Sequence, residues 1–180
     1  MNKNKTKVVT NKVRLSYLNV WEPKSINGGL PKYSVSIIIP KYDLETLEEI
    51  DKSIDAALEK GISKFGGIVP NKSILKLPLR DGDLEKDDEV YKDSYFINAN
   101  SITPPQIVDK MVKPILNQSE VYSGMYGRVS LNFYAFNSNG NMGVACGLGN
   151  IQKIGDGEIL GRKSNAGDDF EVVGEEDFLN

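Results

Sequence analysis

Aromatic and cationic side chains recur beside one another along this chain, and that pairing is the chemistry its residue types can do. Tyr17 and Trp21 precede Lys24, and Lys32-Tyr33 opens a β-branched run. Lys72, Lys76 and Arg80 are spaced by four, and Tyr91-Lys92 and Tyr95-Phe96 follow. Tyr122, Tyr126 and Arg128 start a long alternating stretch that closes on Phe133, Tyr134 and Phe136. Cations neutralise phosphates, and exposed rings stack on unpaired bases, each stack being worth ~1–3 kcal/mol. The residues expected to contact single-stranded nucleic acid are Tyr17, Trp21, Tyr33, Lys76, Arg80, Tyr95, Tyr126, Arg128 and Tyr134. Aromatics in strands are more often core than platform, so most rings are expected to be buried and the exposed ones to be tyrosines.

Most catalytic chemistry is closed to the chain. With no histidine, Ser-His-Asp and Cys-His catalysis and His-ligated zinc are excluded. The one cysteine, Cys146, leaves no intramolecular disulfide and reads as a small buried hydrophobe. The glycines of 140–149 have hairpin spacing with no following helix, so they are not a phosphate-binding loop. Carboxylate chemistry alone stays open. The acidic run Asp81-Gly82-Asp83-Leu84-Glu85-Lys86-Asp87-Asp88-Glu89 invites a metal, but it lacks the ligand spacing and the sixth-position glycine of a calcium loop and reads as a solvated loop. No metal and no other cofactor is expected.

Charge is distributed unevenly. Residues 1–40 carry seven Lys/Arg against Glu22, whereas residues 164–180 carry six acids and no base. The whole chain is −3; without those six acids, 22 basic residues face 19 acidic ones and the body is +3. The acidic balance therefore says little against a polyanionic partner. The stretch Asp168–Asn180, DDFEVVGEEDFLN, combines acids with an apolar tip, Phe178-Leu179. RKSNAG before it reads as a linker. This divides the chain into a domain over 1–161 and a flexible acidic tail over 162–180. No apolar run approaches ~18 residues, so no membrane partner is expected. The basic N-terminus has no apolar core of a secretory signal, which suggests the cytoplasm.

Several elements must position these groups. Val8 to Trp21 alternates as a strand, with Val13, Leu15, Tyr17 and Asn19 on one face, and Glu22-Pro23 ends it. Ser25-Ile26-Asn27-Gly28-Gly29 is turn chemistry leading to Lys32–Pro40, the clearest strand, so the two form a hairpin. Asp43 caps a helix from about 44 to 60, with Leu44, Leu47, Ile50, Ile54, Ala57 and Leu58 at helical spacing and Gly61 at its end. Residues 61–94 are irregular. Tyr95–Ala99 is a short strand. Residues 102–116 are ambiguous, because the apolar spacing suits a helix and Pro104, Pro105 and Pro114 favour extended chain. Val121–Phe136 is a long strand bent at Gly124 and Gly127, and Asn139-Gly140 turns it into a last strand, Met142–Ile154. About five strands in hairpins, one helix and long loops make a mainly β protein, either a small closed barrel or an antiparallel α+β domain.

The order of these features resembles the bacteriophage single-stranded DNA-binding proteins with an OB-fold and an acidic C-terminal tail. The resemblance is carried by Val13-Arg14-Leu15-Ser16-Tyr17 with Trp21-Glu22-Pro23, by Lys32 to Lys41, by Leu79-Arg80-Asp81-Gly82-Asp83, by Tyr122-Ser123-Gly124, by Gly143 to Leu148, and by Asp168-Asp169-Phe170 in the tail. It implies a five-stranded antiparallel OB barrel with one helix, no enzymatic activity, and coating of single-stranded DNA without strong sequence preference during phage DNA replication, recombination and repair in the host cytoplasm. It also implies a tail, represented here by Asp168, Asp169, Phe170, Glu175, Glu176, Asp177 and Phe178, that recruits phage or host polymerase, helicase or other replication proteins and competes with DNA. Many such tails end in an aromatic residue, whereas this one ends Phe178-Leu179-Asn180. Monomer and dimer both remain open. Two rival readings are a carboxylate-metal nucleic-acid enzyme and a virion or scaffold β-protein whose tail only solubilises.

Overall fold

The β-branched run Lys32–Pro40 becomes the strand around which the fold closes. The computed structural model describes residues 5–25, 28–161 and 166–174, and of Asp168 only the backbone. In chain order the strands are β1 (Lys7–Val9), β2 (Val13–Lys24), β3 (Lys32–Pro40), β4 (Arg80–Asp81), β5 (Ser94–Ser101), β6 (Ile107–Val108), β7 (Tyr126–Ser138) and β8 (Asn141–Gly155). The helices are α1 (Leu44–Lys60) and the single turns α2 (Gly82–Glu85) and α3 (Ala166–Asp169). Five strands pair in a closed circuit, β2–β3–β5–β8–β7 and back to β2. The chain is thus mainly β with one main helix. Every join in the circuit is antiparallel except β5–β8, which is parallel at Asn100 opposite Gly147. The short strands β1, β4 and β6 extend the rims by pairing with β7, β5 and β8.

Alternation decides what the barrel encloses. Val35, Ile37 and Ile39 of β3 point inward with Leu15, Ile97, Val129, Leu131, Phe133 and Ile151. Fully burying each such side chain is worth ~1.5–3 kcal/mol. α1 covers one end of this core with Leu47, Ile50, Ile54, Ala57 and Leu58. Asp43 caps it by accepting the Thr46 N–H at 3.3 Å, and Gly61 stops it by donating to the Ala57 carbonyl at 3.0 Å. A Cβ on Gly61 would stand 2.6 Å from that of Ala135, so close packing, not backbone conformation, demands glycine there. Leu44, counted in the apolar stripe from its spacing, is exposed at the first turn.

Three local expectations are corrected and one ambiguity, at residues 102–116, is settled. The first strand is two, because the chain breaks after Val9 and β1 pairs with β7 while β2 pairs with β3. β2 also runs past Glu22-Pro23 to Lys24, where it is one arm of a two-stranded ribbon and a proline removes no needed donor. Residues 102–116 are extended rather than helical: the prolines outweigh the apolar spacing, and a tight turn at Asp109–Lys113 follows β6. The long strand starts at Tyr126, not Val121; the segment before it is a 3₁₀ turn and a kink at Gly124. The Asn139-Gly140 turn is as the sequence suggests, with φ of 53° and 86° at its two central residues. Ile26 and Asn27 of the first hairpin loop lie outside the described residues.

Candidate functional site

The site begins with an irregularity in β2. Ser16 lies opposite Ser36 and Asn19 opposite Ser34, so three steps on β2 meet two on β3. This is a β-bulge, and it reverses the facing of the residues that follow it, up to a second register shift between Asn19 and Lys24. Simple alternation puts Tyr17 on the core face with Val13 and Leu15. In the structure Tyr17 takes a left-handed φ of 48° and is 64% exposed, while Val20 turns inward. A left-handed tyrosine costs about 1–2 kcal/mol. The bulge thus lifts one aromatic ring out of the core onto the outer face of the sheet.

Beside that ring lies a polar floor. Directly opposed residues share a face. Ser34 lies between Asn19 and Asn100, and Ser36 between Ser16 and Asn98. Asn19 Nδ2 donates to Ser34 Oγ at 3.2 Å. The floor, Tyr17, Lys24 and Lys32 at the base of the first hairpin, and Lys86 enclose a groove of about 670 Å³. Three lysines line it, with no carboxylate among the lining residues.

Lys86 is delivered by the acidic run. Tyr91 and Phe96 meet edge to face, 5.3 Å between centroids, and pack with Ile38 as a second small core outside the barrel. The Tyr91 hydroxyl lies 3.0 Å from Ser36 Oγ under the groove floor. Lys41 Nζ holds Asp81 at 2.8 Å and Asp83 at 2.7 Å, and Arg80 holds Glu85 at 2.8 Å. Asp81 and Asp88 accept the backbone N–H groups of Asp83 and Val90. These carboxylates therefore fold the loop through ion pairs and caps, and it is not merely solvated. Among the described residues no group of three or more His, Cys, Asp or Glu side chains is arranged to hold a metal ion. The product of this scaffold is the Lys86 ammonium, 5.9, 5.3 and 5.2 Å from the ring centroids of Tyr17, Tyr91 and Phe96.

A cationic groove with an exposed ring and a floor of amides and hydroxyls suits an extended polyanion with unpaired bases. A family model described as Enterobacter phage Enc34, ssDNA-binding protein, matches residues 6–179. The chain belongs to that family. It is a family of binding proteins, not of enzymes. A curated relative, "Putative protein p50" of Acyrthosiphon pisum secondary endosymbiont phage 1, is 29% identical over 184 residues, covering 96% of this chain and 98% of the relative. Among solved structures, the single-stranded DNA-binding protein from bacteriophage Enc34 in complex with ssDNA superposes with a TM-score of 0.77 at 22% identity, covering 88% of this chain and 91% of that one. The single-stranded DNA binding protein gp2.5 encoded by bacteriophage T7 superposes with a TM-score of 0.63 at 14% identity, covering 93% and 96%.

In this Enc34-family chain the nine residues singled out from the sequence are scattered over the barrel. Tyr17 lines the groove. Arg80 stands just outside it, with its guanidinium 5.1 Å from the Phe96 ring and bound by Glu85. Tyr95 and Trp21 pack against the main core, and Lys41 Nζ lies 5.1 Å from the Tyr95 ring. Tyr33 is half-buried on the inward-facing phase of β3, opposite Ser101. Lys76 is exposed and bridges to Gly143 through its backbone. Tyr126 lies in a second concavity, Arg128 donates from Nε to the Thr10 carbonyl, and Tyr134 is exposed farther along β7. In the tail, the backbone of Asp168 and Asp169 ends the turn α3, and Phe170 is exposed. Glu175, Glu176, Asp177 and Phe178 lie outside the described residues.

Sequence reasoning passed over Lys86, Asn98 and Asn100. Lys86 was masked by the acids around it. Asn98 and Asn100 had a signal that could have been read: polar residues at alternate positions of β5, in step with Ser34 and Ser36, mark an outward polar strip.

The clasp that carries Lys86 sets an expectation for pH. Hydrogen bonds to Asp81 and then Asp83 raise the Lys41 pKa, and the Lys41 ammonium followed by the Asp93 N–H lowers that of Asp83. A raised lysine contributes fully below its unfolded value of about 10.4 and loses that contribution only above it; a lowered carboxylate contributes above about 3.9 and loses it only below. With no histidine in the chain, affinity at constant ionic strength is expected to stay level from about pH 5 to about pH 9. Titrating the binding of a labelled oligonucleotide across that range checks this; an inflection inside it would mean that some other group controls the groove.

Proposed function

We propose that this protein coats single-stranded DNA through the Tyr17–Lys86 groove, without strong sequence preference. The observation that carries the proposal is a groove with three lysines, an exposed tyrosine and no lining carboxylate. Lysines supply phosphate attraction that every sequence shares, Tyr17 supplies a face on which any base stacks, and the serine and asparagine floor both donates and accepts hydrogen bonds. The strand order of the closed circuit, with its single parallel join, supports an OB-type barrel. That the family and its solved relatives are single-stranded DNA-binding proteins supports the same ligand.

The protein would serve phage DNA replication, recombination and repair in the host cytoplasm. Residues 1–161 form the DNA-binding domain, and residues 162–180 form a tail whose acids compete with DNA and whose Phe170 and Phe178 engage replication proteins. The exposure of Phe170, Val172 and Val173 supports a docking role for the tail. One gel-shift series tests the proposal, comparing single-stranded DNA, RNA and duplex with the full chain and with a chain truncated after Gly167. Binding to the single strand should weaken with salt at a log-log slope of about −0.7 per neutralised phosphate. Truncation should tighten it at low salt. Tight duplex binding with none to the single strand would overturn the proposal.

A further inference from the structure

We infer that the single strand runs beyond this groove into a second concavity, which holds its phosphates on Lys12 and Arg14 and a base on Tyr42. This rests on the reading of the first groove as a DNA site. The second concavity, about 800 Å³, lies on the same outer face, where β2 and β3 continue. The two lie at either end of one face of the β2–β3 ladder, and between them Tyr91 and Phe96 pack over Ser36 and Ile38, so the single strand passes from one to the other over that small outer core. From Ser34 to Pro40 β3 spans about 20 Å at ~3.3 Å per residue.

The second concavity shares with the first groove its cations and an exposed tyrosine, and differs in having two carboxylates and more apolar residues in its lining. Tyr42 is 86% exposed, with its ring in solvent at the mouth of the concavity. Lys12 Nζ and the Arg14 guanidinium stand 4.8 and 5.6 Å from the Tyr126 ring centroid. Arg14 is held in place by backbone carbonyls, donating to Gly124 at 3.2 Å and to Glu158 at 2.8 Å, so its charge is oriented without being neutralised. Neither cation forms a salt bridge among the described residues. Tyr126 acts as a spacer that fixes the two cations, and Tyr42 is the free stacking face. The opposite wall carries Asp43 and Glu45. Asp43 is committed to the Asn11 amide and the Thr46 N–H, so the strand is confined to the Lys12–Arg14 side.

The test uses the full chain and oligothymidylates of about 5 and about 12 nucleotides, lengths that fill one subsite or both. The variants are Tyr42→Ala and Lys12→Ala, whose side chains are exposed and leave the barrel intact, checked by thermal melting. The wild type should gain affinity with length. Each variant should lose about ten-fold on the longer oligonucleotide and be unchanged on the shorter, and Lys12→Ala should also flatten the salt slope by about 0.7 on the longer one alone. Unchanged binding of the longer oligonucleotide by both variants, with the wild type binding both lengths, would overturn the second subsite and leave the first standing. A wild type that binds neither length would overturn both.

Discussion

Replacing Lys86 with glutamate is expected to weaken binding of single-stranded DNA on the order of 100-fold, about 2.7 kcal/mol. Lys86 is the one groove cation surrounded by rings, 5.2 to 5.9 Å from the centroids of Tyr17, Tyr91 and Phe96. The reversal changes the local charge by two and sets a carboxylate against the phosphates, and like-charge juxtaposition in a site costs several kcal/mol. No carboxylate lines the groove itself, although Asp83, Asp87, Asp88 and Glu89 stand with Lys86 around a smaller concavity of about 200 Å³. The loop should stay in place, since its Lys41 clasp, its caps and the Tyr91–Ser36 hydrogen bond do not involve this side chain. Arg80→Ala is the control, because its guanidinium is already occupied by Glu85 and should cost far less affinity. Fluorescence anisotropy at fixed salt measures both; a loss within about two-fold for Lys86→Glu, against a median near zero for exposed charges, would remove Lys86 from the interface.

Gly124→Ala is expected to destabilise the fold by about 3 kcal/mol or more, lowering the melting temperature by roughly 6–12 °C for a chain of this size. Gly124 has a φ of 113°, which L side chains rarely adopt, and a Cβ there would meet the Glu158 carbonyl oxygen at 1.9 Å, backbone against backbone. The chain around it cannot yield cheaply. Gly124 N donates to the Leu15 carbonyl at 2.7 Å, its own carbonyl accepts from Arg14, and Leu160 N donates to Ser123. Displacing this kink therefore disturbs both the bend that starts β7 and the carbonyls that orient Arg14. Gly140→Ala is the matching control. Its φ is 86° but nothing stands within 4 Å of a Cβ, so only the backbone penalty applies, about 1 kcal/mol. Equal melting shifts for the two variants would show that the contact with Glu158 is not what demands glycine at 124.

Much of the framework was legible because its causes are local. A β-branched alternation read β3 residue by residue. An aspartate cap, a 3.6-residue stripe and a terminal glycine bounded α1 at both ends, and Asn139-Gly140 set the β7–β8 turn. Leu44 shows the limit of such reading. Its spacing fits the stripe, but the first turn of α1 extends past the barrel's end, and nothing in the spacing says how far the core reaches. Residues 102–116 show a conflict between two local rules, settled by proline's missing N–H and fixed φ.

Among the site residues, Tyr17 illustrates the division best. Its type marked it as a stacking ring, but simple alternation turned it toward the core; only the bulge, where the pairing of β2 with β3 shifts register between Ser16 and Asn19, turns it outward. Trp21 and Tyr95 had the same residue chemistry and went to the core. The amino-acid sequence by itself determined the element types, the basic body and acidic tail, and the absence of histidine chemistry, all of which follow from composition and neighbours within a few positions. The tertiary structure alone decided that Lys24, Lys32 and Lys86 would converge on Tyr17 over a floor of Asn98 and Asn100. That convergence depends on strand register and on a loop packed against the outside of the barrel, contacts between residues up to about eighty positions apart that no local rule encodes.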